Sequence, residues 1–68
     1  MRQVLHNGLE VYRGRSVDIP KVYKAVTGNK LNIKEWQASL GKLDGLDLQE
    51  WLKVNNVEIK CYDSIFSN

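Results

Sequence analysis

Apolar and polar residues alternate near the start of this 68-residue chain, in two short runs at residues 4–6 and 9–12. The runs flank Asn7-Gly8, the pair that favours a two-residue turn because both residues tolerate positive φ. The pattern predicts a hairpin over residues 3–13. One face would carry Leu9, Val11 and Arg13, and the other Glu10 and Tyr12.

The next apolar positions follow helical spacing. Asp18 suits an N-cap, Pro20 is tolerated in a first turn, and Gly28 suits the left-handed position after a helix. These signals predict a helix over about residues 19–27. Its buried stripe would be Ile19, Val22, Tyr23 and Val26, and Lys21 and Lys24 would point to solvent.

Two further helices are predicted over about 33–41 and 48–54, because a five-residue pattern occurs twice. Asn32 and Asp47 each stand three residues before a glutamate, Glu35 and Glu50, which is the form of a capping box. A tryptophan follows each glutamate, so either one could anchor its helix to the core or bind a partner. The predicted inward residues are Ile33, Trp36 and Leu40 in one helix and Leu48, Trp51 and Leu52 in the other.

Residues 57–62 alternate strictly, which predicts a final strand with Val57, Ile59 and Cys61 facing inward. The element order is therefore β-β-α-α-α-β. We expect a single α+β domain spanning residues 1–68, in which a three-stranded antiparallel sheet packs on short helices.

The composition limits which kinds of site this chain can form. The chain is 43% hydrophobic and contains one cysteine and one histidine, so it lacks the residues for an internal disulfide or a metal site. No signal-peptide or membrane-spanning run is present, which favours a cytoplasmic protein with Cys61 as a buried, inert thiol. Without a nucleophile, base and orienting group, we expect no enzyme and no cofactor.

Charge is divided along the chain. Residues 1–34 hold seven basic and two acidic side chains, a net +5, and residues 35–68 hold three and six, a net −3. Cationic side chains bind nucleic-acid phosphates, which makes DNA or RNA an alternative partner. That site would consist of Arg13, Arg15, Lys21, Lys24, Lys30 and Lys34. The segment Leu48-Gln49-Glu50-Trp51 also resembles the opening helix of phage excisionases, which are small winged-helix DNA binders.

The expectation we favour is a small regulatory protein that binds a larger protein, of the kind found in phages and mobile elements. Its acidic half could meet a basic surface. The candidate protein-binding residues are Asp44, Asp47, Glu50, Glu58 and Asp63. The predicted sheet also leaves edges through which a homodimer could form.

Overall fold

The structure is a computed structural model that describes residues 1–61. It has the predicted element order and the predicted α+β class. The strands are β1 (Arg2–His6), β2 (Leu9–Gly14) and β3 (Val57–Cys61). The helices are α1 (Ile19–Thr27), α2 (Ile33–Ala38) and α3 (Leu48–Val54).

The three strands form one antiparallel sheet in the order β2-β1-β3. The predicted hairpin turn is confirmed, with φ of 54° at Asn7 and 84° at Gly8. The final strand pairs with β1 as expected. Tyr62, which the prediction included in that strand, lies outside the described residues.

A bulge changes the predicted faces of the hairpin. Val4 pairs with Tyr12 and Leu5 with Glu10, so Val11 is an extra residue in β2. Tyr12 therefore shares the face of the buried Val4, and the predicted grouping of Leu9, Val11 and Arg13 on one face is wrong. Leu9 itself is 72% exposed, because it lies beside the turn and beyond the core.

Local capping explains where the helices begin and end. Helix α1 has the predicted bounds and ends at Gly28, whose φ is 78°. Asp18 occupies the N-cap position in an extended conformation, but its side chain makes no capping hydrogen bond. Asn32 and Asp47 do cap their helices by accepting from the Glu35 and Glu50 amides at 3.2 and 2.9 Å.

The core lies between the helices and the sheet face that carries Val4. Its buried residues are Val4, Val22, Leu43, Trp51 and Val57. Val4 and Leu43 are the two members that the hydrophobic pattern did not identify. Leu43 precedes a tight turn at Asp44-Gly45, closed by backbone hydrogen bonds of 2.7 and 2.8 Å between Leu43 and Leu46. The Asp-Gly pair is a turn signal of the same kind as Asn7-Gly8.

The predicted buried stripe of the second helix is wrong for Ile33 and Leu40, whereas Trp36 is partly buried and packs against the core. Helix α2 ends at Ala38 rather than near residue 41, and no residue within it is fully buried. Ile33 is 40% exposed and Leu40 is 94% exposed. The cause is local, since Leu40 lies beyond the helix with a φ of 61° and no longer continues its stripe.

Cys61 is also misplaced by the prediction, because its thiol is exposed. Burial declines along β3 from Val57, through the partly exposed Ile59, to Cys61. Two residues separate helix α3 from the Val57 end of the strand, and the helix contacts the strand. Cys61 lies opposite Arg2 at the far end of the sheet.

Candidate functional site

The end of α2 is built around a leucine in a conformation that favours glycine. The Gly41 amide donates to the Trp36 carbonyl at 2.8 Å, and the Leu40 amide donates to the Gln37 carbonyl at 3.1 Å. These two bonds define a Schellman motif in which Leu40 holds the left-handed position. Ser39 secures the turn, because its hydroxyl donates to the Trp36 carbonyl at 3.0 Å and accepts from the Lys42 amide at 3.2 Å.

Leu40 is unusual among the residues with positive φ. The other non-glycine residues of this kind within residues 1–61 are Asn7, Asp44 and Asn56. Asparagine and aspartate tolerate the left-handed region through local hydrogen bonds, whereas leucine does not. The fold therefore holds a large apolar side chain in solvent at a conformational cost.

Three apolar residues form what we call the α2 surface: Ile33, Trp36 and Leu40. Ile33 and Trp36 are one turn apart on the helix and therefore adjacent. Trp36 and Leu40 line one shallow groove, and Trp36 also lines a larger groove of about 450 Å³ on its other side. Trp51 is almost completely buried, so the partly exposed Trp36 is the tryptophan available to a partner.

Lysines border the α2 surface where α1 approaches it. A groove of about 340 Å³ has an apolar lining of Pro20, Leu31 and Ile33. Its remaining lining residues are Lys21, Lys24 and Lys30. All three lysines are exposed, and none forms an ion pair with another residue in the range 1–61. This lysine groove combines apolar contact with uncompensated positive charge.

The other predicted nucleic-acid residues, Arg13, Arg15 and Lys34, do not line this groove. Arg13 lies on the outer face of the sheet and pairs with Glu10 through an N–O distance of 2.8 Å. The Arg13 and Gln3 side chains donate to Glu10, and these hydrogen bonds lower the pKa of its carboxyl. Arg15 lies in the loop before α1, and the exposed Lys34 lies on α2.

Asp44, a predicted protein-binding residue, is exposed, but its carboxylate accepts two hydrogen bonds from within the chain. The Tyr23 hydroxyl donates to its Oδ1 at 2.7 Å, and Trp51 Nε1 donates to its Oδ2 at 3.3 Å. The two rings stack with centroids 5.6 Å apart. The Asp44 carboxylate accepting the hydroxyl raises the pKa of Tyr23. Asp44 therefore joins α1, the Asp44-Gly45 turn and α3, a role that its place in a turn did not predict.

The remaining predicted acidic residues are dispersed. Asp47 caps α3, Glu50 is exposed in the first turn of that helix, and Glu58 is exposed on β3. Asp63 lies outside the described residues. Within residues 1–61 these acidic residues therefore belong to two elements, α3 and β3.

Within residues 1–61, no three His, Cys, Asp or Glu side chains converge where they could hold a metal ion. None of the helices in this range has the length and apolar character needed to span a bilayer.

Comparison with protein-family models, curated proteins and solved structures finds no match to this chain. Function must therefore be inferred from the surface itself. The sequence did contain a signal for part of the α2 surface, namely the three-residue spacing of Ile33 and Trp36, whereas Leu40 joins that surface through the turn after the helix. That spacing indicates a face of the helix but does not reveal whether the fold covers it.

Proposed function

We propose that this chain is a non-enzymatic regulatory protein that binds a larger protein through the α2 surface. The observation that carries the proposal is the exposure of Leu40, which is 94% exposed at the end of a helix without fully buried residues. A folded protein gains nothing from holding a leucine in this conformation and in water. Contact with a partner would bury the side chain and offset that cost.

The adjoining lysine groove indicates the chemistry of the partner. An apolar lining bordered by unpaired lysines complements a segment that carries both apolar and acidic side chains. An amphipathic helix or loop with leucine-like anchors beside aspartate or glutamate satisfies both requirements. The partner segment we propose is therefore apolar and acidic, and the charge complementarity would accelerate its association at low salt.

Site-specific photocrosslinking tests this proposal. A photoreactive phenylalanine analogue replaces Leu40 in one variant and Val54 in a control, because Val54 is also apolar and is 68% exposed on another helix. In cells of the source organism, we expect a discrete protein adduct from position 40 and none from position 54. In a Lys21→Glu, Lys24→Glu background that adduct should weaken. Identical adducts from both positions would contradict the proposal.

Nucleic-acid binding is the second candidate, and the convergence of Lys21, Lys24 and Lys30 on one groove favours it. Duplex DNA would then bind with an affinity that falls steeply as salt increases. The Lys21→Glu, Lys24→Glu variant should lose this binding, and Leu40→Ala should retain it. No measurable binding of duplex DNA, together with a protein adduct from position 40, would favour the protein partner.

A further inference from the structure

The two edges of the sheet differ in regularity. Strand β2 is interrupted by the bulge at Val11, and bulges protect an edge from pairing with another chain. Strand β3 pairs with β1 without a break from Arg2–Cys61 to His6–Val57. Within residues 1–61 no further strand lies beyond β3. The β3 edge is thus a regular five-residue template for strand addition.

The backbone groups that face this edge follow from one hydrogen bond. The Asn7 amide donates to the carbonyl of Asn56, the residue directly opposite, at 3.1 Å. Hydrogen-bonded and non-hydrogen-bonded pairs alternate along an antiparallel ladder, so Glu58 and Lys60 direct their backbone groups to β1. The N–H and C=O groups of Val57, Ile59 and Cys61 therefore face away from β1.

The sequence of β3 is complementary to itself when read in the opposite direction. In an antiparallel pair centred on Ile59, that residue lies opposite the same residue of a second copy. Glu58 lies opposite the second copy's Lys60, and Lys60 opposite its Glu58. Val57 and Cys61 are likewise opposite each other. Two favourable charge pairs and an apolar centre thus result from a single two-fold axis.

We propose that two copies of this chain associate through their β3 edges about a two-fold axis at Ile59. The outward backbone groups of Val57, Ile59 and Cys61 form the new ladder. Glu58 and Lys60 occupy the non-hydrogen-bonded pairs, where Cα atoms are about 4.5 Å apart and side chains are closest. The interaction joins the two sheets into one six-stranded sheet.

Other registers of the same strand pair are less favourable. An axis at Glu58 would place two glutamates opposite each other, and an axis at Lys60 would do the same with two lysines. Like charges directly opposite each other destabilise a strand pair. A register centred between two residues, such as Ile59 opposite Lys60, would place outward backbone groups opposite groups that already bond to β1. Backbone direction thus restricts the axis to a residue position, and charge selects Ile59 over Glu58 and Lys60.

Charge reversal measured by sedimentation equilibrium tests the dimer. The wild-type chain should dimerise reversibly with concentration. Glu58→Lys and Lys60→Glu, each measured alone, should weaken self-association by about tenfold or more, since each change replaces two attractions with two repulsions. The double variant should restore the dimer. An equimolar mixture of the two single variants should form a heterodimer, because every opposing pair in it is again opposite in charge.

Controls separate this interface from general charge effects. Lys34→Glu makes the same charge change as Lys60→Glu but lies on α2, so it should leave dimerisation unchanged. Far-UV circular dichroism verifies that each variant is folded. A wild-type chain that stays monomeric at millimolar concentration would overturn the proposal. So would single variants that dimerise as well as wild type, or a mixture that gives no heterodimer.

Discussion

Replacing Leu40 with glycine should make the protein more stable while weakening the proposed docking. Leu40 has a φ of 61°, which the C-terminal turn of α2 imposes on it. Glycine enters this region without a steric cost, and it is the residue most often found at this position of a Schellman motif. The substitution removes strain from the native backbone and leaves its hydrogen bonds intact.

The expected gain comes from two opposing effects. The left-handed conformation costs an L-residue about 1–2 kcal/mol, and this cost disappears in the variant. Glycine gives the unfolded chain more freedom, which removes about 0.5–1 kcal/mol of the gain. The lost side chain contributes little to the native state, since Leu40 is 94% exposed. The free energy of unfolding should therefore rise by about 0.5–1 kcal/mol.

This change in the free energy of unfolding is measured by guanidinium titration, with tryptophan fluorescence as the signal. An unaltered m-value would indicate that only stability has changed. Leu40→Ala is the matched control, because it removes the side chain but keeps a Cβ in the strained conformation, so its stability should match wild type. Neither variant should crosslink to the partner. In this measurement the photoreactive residue replaces Trp36, because position 40 is the one that is varied. A destabilised Leu40→Gly variant would show that the Leu40 side chain supports the fold, and the reasoning would fail.

Three further predictions concern the rest of the molecule. Asp44→Asn should return the pKa of Tyr23 toward its usual value in an NMR titration of labelled tyrosines. In wild type, this hydrogen bond stabilises the fold below the usual tyrosine pKa. That stabilisation is lost as the pH rises through the raised pKa of Tyr23. Asp47→Ala should lower the free energy of unfolding by about 1 kcal/mol in denaturant titrations, through loss of the α3 cap. Cys61 should react with a thiol reagent without prior unfolding, and a reaction that occurs only in denaturant would contradict its exposure.

The sequence predicts the elements of this fold well because their signals are local. Asn7-Gly8 defines a turn through its own φ preferences, and Gly28 ends α1 for the same reason. Asn32 and Asp47 cap helices through side-chain oxygens that reach only three residues along the chain. Each of these signals acts within one turn and needs no information about the rest of the protein.

Features that depend on tertiary packing were predicted less well. The bulge at Val11 adds one residue to β2, and it reverses the faces of the following residues. Ile33, Leu40 and Cys61 have apolar spacing typical of a core, but the small fold does not extend over them. Asp44 has the sequence signal of a turn, while its hydrogen bonds to Tyr23 and Trp51 span distant segments.

The two proposed surfaces together imply how affinity would depend on the partner. A dimer joined at β3 would display two α2 surfaces, so a partner with two binding segments could engage both, and the second contact would be intramolecular. Such a partner should bind wild type more tightly than the Glu58→Lys monomer. A partner with one segment should bind both equally, because Glu58 lies on β3 and outside the α2 surface. If a two-segment partner bound wild type and the Glu58→Lys variant equally tightly, one partner molecule would not contact both α2 surfaces of the dimer at once. Each α2 surface could still bind a partner segment by itself.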